Sequence, residues 1–175
     1  LRRARLAGVG LEGEPAARFA EIVKELSKLS SDFSNNVLDA TKAYELVVTD
    51  PADVAGWPES LKQQAAASYA SQQGGEADAE QGPWRIGLEA TSCVPFLQHC
   101  RNRCLREQVY RAYITRASAG EHDNSALLER ILTLRAEKAA ILGFASYAAL
   151  SLESKAAQDV ASVRAMHAEL SAAAH

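Results

Sequence analysis

Hydrophobic residues recur every three or four positions along most of this chain, and that spacing predicts a mainly α-helical fold. Residues 15–43 show it most clearly, with one apolar stripe: Phe19, Ile22, Val23, Leu26, Leu29, Phe33, Val37 and Leu38. Similar patterns predict helices over residues 1–7, 58–72, 94–100, 102–118, 146–150 and 156–175. A further helix is expected between a cap at Asp123 or Asn124 and the helix-ending Gly143.

Two short stretches carry strand patterns instead. Residues 45–49 are rich in β-favouring side chains, and the Asp50–Pro51 pair is expected to end that strand. Residues 84–89 alternate apolar and polar side chains, which predicts a half-buried strand. We expect the two to pair, which gives a multi-helical, mainly α fold with one small two-stranded β element.

Composition and charge narrow the possible partners. The chain has 175 residues, enough for one buried core, and its net charge of -3 gives no overall reason to bind nucleic acid or an anionic membrane. Its apolar runs are far shorter than the roughly 20 residues of a membrane span. Three cysteines form no disulfide framework, so we predict reduced thiols in a reducing compartment.

The first residue predicts that the chain starts inside a longer translation product or after a processed leader. Residue 1 is a leucine, and the one methionine is Met166. At the other end, residues 156–175 have a helical pattern with no glycine or proline stop signal. We therefore expect both ends to lie inside structural elements of a larger protein.

One glycine-rich motif resembles a dinucleotide-binding turn. Residues 8–13 read GVGLEG and precede the first long helix, as in the G-x-G-x-x-G pattern. Such a site needs a buried strand before its first glycine, whereas the residues before Gly8 are arginine-rich and helical. The sequence therefore favours a simple helix break, with no cofactor.

A few metal-ligating residue types lie near the middle of the chain. His99, Cys100 and Cys104 include pairs at helical spacing, and Cys93 is the one nearby candidate for a fourth ligand. Structural zinc sites usually take four ligands as two paired clusters, and no second cluster is present. We predict structural thiols at these cysteines, with a zinc site as the alternative.

Catalytic signatures are missing from the sequence. No histidine begins a His-Glu-x-x-His run, and the chain has neither a Gly-x-Ser-x-Gly elbow nor a phosphate-binding loop. A Cys100 nucleophile paired with His122 or His167 is an alternative that nothing in the spacing favours. We therefore assign no catalytic, metal-binding or cofactor-binding residue.

An arginine-rich stretch on one predicted helix can be interpreted either as a structural or as a functional feature. The arginine-rich stretch contains Arg101, Arg103, Arg106, Arg111 and Arg116, with Tyr110 and Tyr113 among them. It is a candidate site for phosphates or an acidic peptide terminus, but a helix would spread these arginines around its circumference. We predict a solvated face with Glu107 and Glu121 as ion-pair partners.

Three polar residues late in the first long helix are also expected to be structural. They are Asn35, Asn36 and Asp39, whose short side chains can bond local backbone or a neighbouring loop. Contact with a bound peptide is the alternative.

Three stretches, taken in order, resemble one enzyme family. They are residues 29–44 (LSSDFSNNVLDATKAY), residues 92–100 followed by residues 105–118 (LREQVYRAYITRAS), and residues 123–147. Their order and spacing are similar to the zinc oligopeptidases of the oligopeptidase A, thimet oligopeptidase and dipeptidyl carboxypeptidase group. The resemblance covers nearly the whole chain, from about residue 6 to residue 157.

The resemblance implies a piece of a larger, helical, two-lobed zinc metallopeptidase that hydrolyses short unfolded peptides in the cytoplasm or an organelle matrix. Residues 1–100 would end its N-terminal region, and residues 101–175 would begin its catalytic region. The family's zinc ligands and catalytic residues follow beyond the match, so none is carried over. We expect the chain to supply scaffold and channel wall and to be inactive alone. A stand-alone, non-catalytic binding or regulatory module is the alternative.

Overall fold

The computed structural model of this protein describes residues 2–174, and it confirms the mainly helical fold. Leu1 and His175, which the sequence places at the ends of helices, lie outside the described residues. The elements in chain order are α1 (Arg2–Leu6), α2 (Gly13–Ala43), β1 (Leu46–Val48), α3 (Pro51–Val54), α4 (Glu59–Gln73), β2 (Trp84–Ile86), α5 (Ala90–His99), α6 (Arg103–Thr115), a 3-10 turn (Gly120–His122), α7 (Ser125–Ile141), α8 (Tyr147–Leu152) and α9 (Val160–Ala174).

The described chain divides into two compact units, residues 33–125 and residues 2–32 with 126–174. The unit of residues 33–125 contains the small sheet, in which β1 and β2 run antiparallel with Leu46 opposite Ile86 and Val48 opposite Trp84. This pairing was predicted. The core of the unit is built on the sheet and on α4, α5 and α6, with Trp84, Phe96 and Val109 fully buried.

The strand β2 is shorter and more buried than predicted. Trp84, Arg85 and Ile86 are all buried, although the alternating pattern indicated a half-buried strand of six residues. Arg85 is covered because its guanidinium donates to Glu45 at 3.1 Å and to the Ser68 hydroxyl at 3.0 Å. The strand ends at residue 86 because the Gly87 amide bonds the Ser92 side chain of α5 instead of a strand neighbour.

The Asp50–Pro51 pair starts a helix that was not predicted. Asp50 caps α3 by accepting a hydrogen bond from the Ala52 amide at 2.9 Å. Pro51 then occupies the first helical turn, where its missing amide hydrogen costs nothing. The same two residues that end a strand pattern are thus also a helix-start signal.

The unit formed by residues 2–32 and 126–174 packs α2 against α7 and α8. Its apolar clusters contain Ile22 with Leu134 and Phe19 with Leu142. Two bidentate ion pairs, Arg18 with Glu137 and Arg130 with Glu25, join α2 to α7. Each arginine lowers the pKa of its carboxylate partner, chiefly through these hydrogen bonds. By contrast, α9 has no buried residue in its described length.

The glycine-rich stretch of residues 8–13 is a helix break, as predicted. The residues before it form the helix α1 rather than a strand. Gly8 has a φ of 84°, and a Cβ there would lie 2.7 Å from the ring of Phe19. Gly8 therefore allows both the turn and the close packing of that ring.

Candidate functional site

The side chain of Asn102 makes three hydrogen bonds at the loop between α5 and α6. Its Oδ1 caps α6 by accepting from the amides of Cys104 at 3.0 Å and Leu105 at 3.3 Å. Its Nδ2 donates to Asp53 of α3 at 2.9 Å. An asparagine at the N-cap is expected here, because its side chain satisfies amides that have no helical partner. The start of α6 is therefore held in one position relative to α3.

An open cleft of about 590 Å³ lies along α6 beside the end of α5. Its volume falls in the roughly 300–1,000 Å³ range that is usual for small-ligand sites. It is lined by Leu97, Arg103, Arg106, Glu107, Tyr110 and Arg111. We call these six residues the arginine cleft.

The arginine cleft corrects part of the sequence interpretation. Its five α6 residues follow the spacing of one helical face, since positions three, four, seven and eight apart lie above one another. Three of the five arginines, Arg103, Arg106 and Arg111, are therefore brought together rather than spread around the helix. The spacing of these three arginines along α6 is the sequence signal for this grouping.

The other two arginines have different surroundings. The guanidinium of Arg116 stacks over the ring of Tyr113, with its central carbon 4.0 Å from the ring centroid. Arg101 packs against Gly56, where a Cβ would lie 3.0 Å from the arginine Nε. We assign neither arginine to the cleft.

Ion pairing in the arginine cleft is incomplete. Arg111 pairs with Glu107 at 2.7 Å, as predicted, whereas Glu121 forms no ion pair with any residue that the structure describes. Arg106 donates through Nη1 to the carbonyl oxygens of Cys100 at 2.6 Å and Arg101 at 3.0 Å. Arg103 has no carboxylate partner within residues 2–174. The cleft thus contains three guanidinium groups and one carboxylate, which leaves it positive.

The candidate metal ligands do not form a site. Cys100 is buried and Cys104 is exposed, and the Cys100 thiol donates to the Asn102 carbonyl oxygen at 3.7 Å. Among the described residues, no three His, Cys, Asp or Glu side chains are grouped so that they could hold a metal ion. The donor set of these residues therefore does not fit the zinc ion that the resemblance implies.

The three cysteines are free thiols with different exposure. Cys93 is fully buried in the core, and burial raises the pKa of its thiol, an effect that the charge of Arg116 partly offsets. A thiol with a raised pKa is a poor nucleophile, because the thiolate is the reactive form. Cys104 lies exposed in the first turn of α6.

We therefore expect iodoacetamide to modify Cys104 at least about tenfold faster than Cys93 or Cys100, because only Cys104 is accessible without opening the core. The rates can be followed by mass spectrometry of peptides from the folded chain. The control is a Cys104→Ser chain, which should take up label only when urea is added. Equal labelling of all three cysteines in the folded chain would contradict the burial described here.

The polar residues late in α2 behave differently from one another. Asn36 donates to the Oδ1 of Asn124 at 2.9 Å, and Asn124 in turn donates to the carbonyl oxygen of Phe33 at 3.2 Å. Asn36 thus makes the contact with a neighbouring loop that the sequence predicts. Asn35 and Asp39 are exposed, with no side-chain hydrogen bond to any described residue, so their roles stay predictions. Asn124, which the sequence predicts only as a possible helix cap, is buried and makes both of these hydrogen bonds.

No helix within residues 2–174 is both long and apolar enough to cross a lipid bilayer.

Comparison with known proteins identifies relatives over almost the whole chain. Residues 96–175 match the family model described as peptidase family M3. The chain is 46% identical over 157 residues to a probable cytosolic oligopeptidase A and, over the same length, 46% identical to an organellar oligopeptidase A, both from Arabidopsis thaliana. It is 48% identical over 164 residues to oligopeptidase A from Haemophilus influenzae.

These alignments cover most of this chain but only a small part of each relative. They include 90%, 90% and 91% of this chain but only 22%, 20% and 23% of the three relatives. The chain thus spans about a fifth of the length of the curated relatives it matches.

Proposed function

Because this chain is related to one segment of the oligopeptidases A of peptidase family M3, we propose that it forms part of the helical wall of an oligopeptidase that hydrolyses short peptides. The observation that carries the proposal is the alignment itself. Identity near one half extends across nine-tenths of the chain, and therefore across both compact units and the arginine cleft. Such similarity over a packed core supports retention of the same scaffold.

The catalytic chemistry of the proposed enzyme lies in other segments. A zinc ion would supply a Lewis acid and an activated water in such a peptidase. The described residues contain no group that fits the metal, so we derive no catalytic step from them. The role of this chain is to hold helices in place and to present a surface to the peptide.

We also propose a division of the chain within the larger enzyme. Residues 1–100 end the N-terminal helical region, and residues 101–175 begin the catalytic region. The match to the family model begins at residue 96, which supports a boundary near this point. The proposed compartment is reducing, either the cytosol or an organelle interior. Free thiols and the cytosolic and organellar names of the Arabidopsis relatives support that choice.

A chimera tests the proposed function directly. The aligned segment of the Haemophilus influenzae oligopeptidase A is replaced by the matching residues of this chain. We expect the chimera to keep hydrolysis of a fluorogenic oligopeptide within about tenfold of the parent, because volume-conserving changes spread through a core are tolerated. The measurement is kcat/KM for the chimera and the parent in the same buffer.

Two controls make the result interpretable. A version that carries the same junctions around the parent's own segment isolates the effect of the joints, and residues 1–175 alone with added zinc should hydrolyse nothing. A chimera that is folded by circular dichroism and monodisperse, but inactive, would contradict the scaffold role. That outcome would favour a stand-alone module instead.

A further inference from the structure

We propose that the arginine cleft binds a carboxylate group of a peptide, which is held against the guanidinium groups of Arg103, Arg106 and Arg111. The proposal deepens the proposed function, on which it depends for the choice of a peptide as ligand. It assigns to α6 a role in ligand binding beyond that of scaffold.

Charge in the cleft favours an anionic ligand. The lining has three guanidinium groups and the single carboxylate of Glu107, and that carboxylate pairs with Arg111 alone. Arg103 is exposed and lacks an ion-pair partner within the described chain. A planar guanidinium offers two parallel N–H groups to a carboxylate, so an unpartnered arginine beside two others is well suited to this ligand.

The arginines are also anchored in ways that leave donors available. Arg106 uses Nη1 for the carbonyl oxygens of Cys100 and Arg101, and Arg111 uses Nε for Glu107. In both side chains the described hydrogen bonds occupy one of the three guanidinium nitrogens. Arg106, which the backbone carbonyls already hold in place, loses less conformational entropy when a ligand binds.

The apolar lining favours a peptide over a polyphosphate or nucleic acid. Leu97 is half-buried at the end of α5, and Tyr110 is 53% exposed on the same face of α6 as the arginines. These side chains can contact an apolar residue next to the bound carboxylate. Glu107 would repel a second anionic group close by, and the net charge of -3 opposes association with a polyanion.

The test is a binding titration of residues 1–175 by isothermal calorimetry. Three N-acetylated pentapeptides of alanine and leucine are compared, one with a free C-terminal carboxylate, one with a C-terminal amide, and one with a central glutamate and a C-terminal amide. We expect binding of one or both carboxylate peptides, weakening with added salt, and no measurable binding of the neutral amide. The two carboxylate peptides distinguish a chain terminus from an acidic side chain.

Variants locate the binding in the cleft. R103Q/R111Q should weaken binding about tenfold, because two charge-assisted contacts are removed. Arg106 is left in place, since it holds the loop between α5 and α6. E107Q should strengthen binding about threefold, because it frees Arg111 from an exposed ion pair. R3Q/R164Q is the matched control, since it removes the same charge at two exposed arginines of α1 and α9 and should change nothing.

Some results of the titration would contradict the proposal. Equal binding of the neutral amide peptide, tighter binding of inorganic phosphate or a single-stranded oligonucleotide, or an equal loss in R3Q/R164Q would overturn the proposal. So would weaker binding in E107Q, which a damaged helix would produce and a positive cleft would not. This titration needs no hydrolysis, so an inactive chimera leaves its result unchanged, and loss of the cleft site leaves the chimera test unchanged.

Discussion

Phe96→Ala should lower the free energy of unfolding of the unit of residues 33–125 by about 3–5 kcal/mol, the range usual for removing a buried phenylalanine. The ring of Phe96 has no exposed surface and packs edge-to-face against Trp57, with ring centroids 5.3 Å apart. Trp57 has a second edge-to-face contact with Trp84. Alanine would leave a cavity in the middle of this aromatic cluster.

The effect should be visible in urea unfolding followed by tryptophan fluorescence. Both tryptophans of the chain belong to this cluster, so the signal reports on the unit that carries the substitution. Circular dichroism at 222 nm, followed in the same titration, reports on all the helices. Two separated transitions would show that the two compact units unfold independently, and the free energy would then be taken from the fluorescence transition alone.

Val94→Ala is the matched control for this experiment. Val94 lies on the same helix, α5, two residues away, and is 45% exposed. Because the substitution removes apolar atoms that already contact water, it should lower the free energy of unfolding by about 0.5 kcal/mol or less. Equal destabilisation by the two substitutions would mean that α5 packs with a different face than the structure shows.

Sequence patterns that fit only one type of secondary structure predicted the fold well. The three- and four-residue spacing of apolar side chains in residues 15–43 fits only a helix, and α2 ends at Ala43 as predicted. The pairing of β1 with β2 followed from two β-favouring segments in a chain that is otherwise helical. Local periodicity identifies such elements because one face of each must leave water.

Residues with two local meanings were harder to interpret. Asp50 ends a strand and caps a helix equally well, and only the following residues decide between them. Arg85 marks an exposed strand face in the pattern, but the partners that bury it, Glu45 and Ser68, are 40 and 17 residues away in sequence. Contacts of that kind depend on tertiary packing, which periodicity does not describe.

The arginine cleft could be predicted from the sequence only in part. The spacing of Arg103, Glu107, Tyr110 and Arg111 could have placed them on one helical face from sequence alone. What the sequence could not provide is the contribution of Leu97 from the neighbouring helix, or the use of Arg106 to hold the preceding loop. The number of arginines in this stretch of sequence predicted a solvated helix face. The arrangement of three of them on one face of α6 favours binding of an anion.

Asn36→Ala is expected to lower the free energy of unfolding by about 1–3 kcal/mol, the usual cost of leaving a buried polar atom without a partner. Asn124 is only 2% exposed, and its Oδ1 accepts the hydrogen bond from Asn36 at 2.9 Å. Alanine at residue 36 removes the donor and leaves the Oδ1 of the buried Asn124 without this partner. The measurement is again urea unfolding followed by tryptophan fluorescence.

Asn35→Ala is the matched control, one position away on the same helix. Asn35 is exposed, so its replacement should be neutral or slightly stabilising, because alanine has the higher helix propensity. A cycle with Asn124→Ala completes the test. If the two asparagines stabilise each other, the double variant should lose less than the sum of the single losses, by about 0.5–3 kcal/mol.

The same substitution also separates the two interpretations of Asn36. A structural role predicts that Asn36→Ala in the chimera lowers kcat/KM only as far as it lowers the folded fraction at the assay temperature. A contact with the bound peptide predicts the reverse, namely full stability with a sharp loss of turnover. The hydrogen bonds from Asn36 to Asn124 and from Asn124 to Phe33 use the side chain inside the unit, so we expect the first result. Unchanged unfolding together with a tenfold or greater fall in kcat/KM, roughly 1.4 kcal/mol in transition-state binding, would assign Asn36 to the peptide instead.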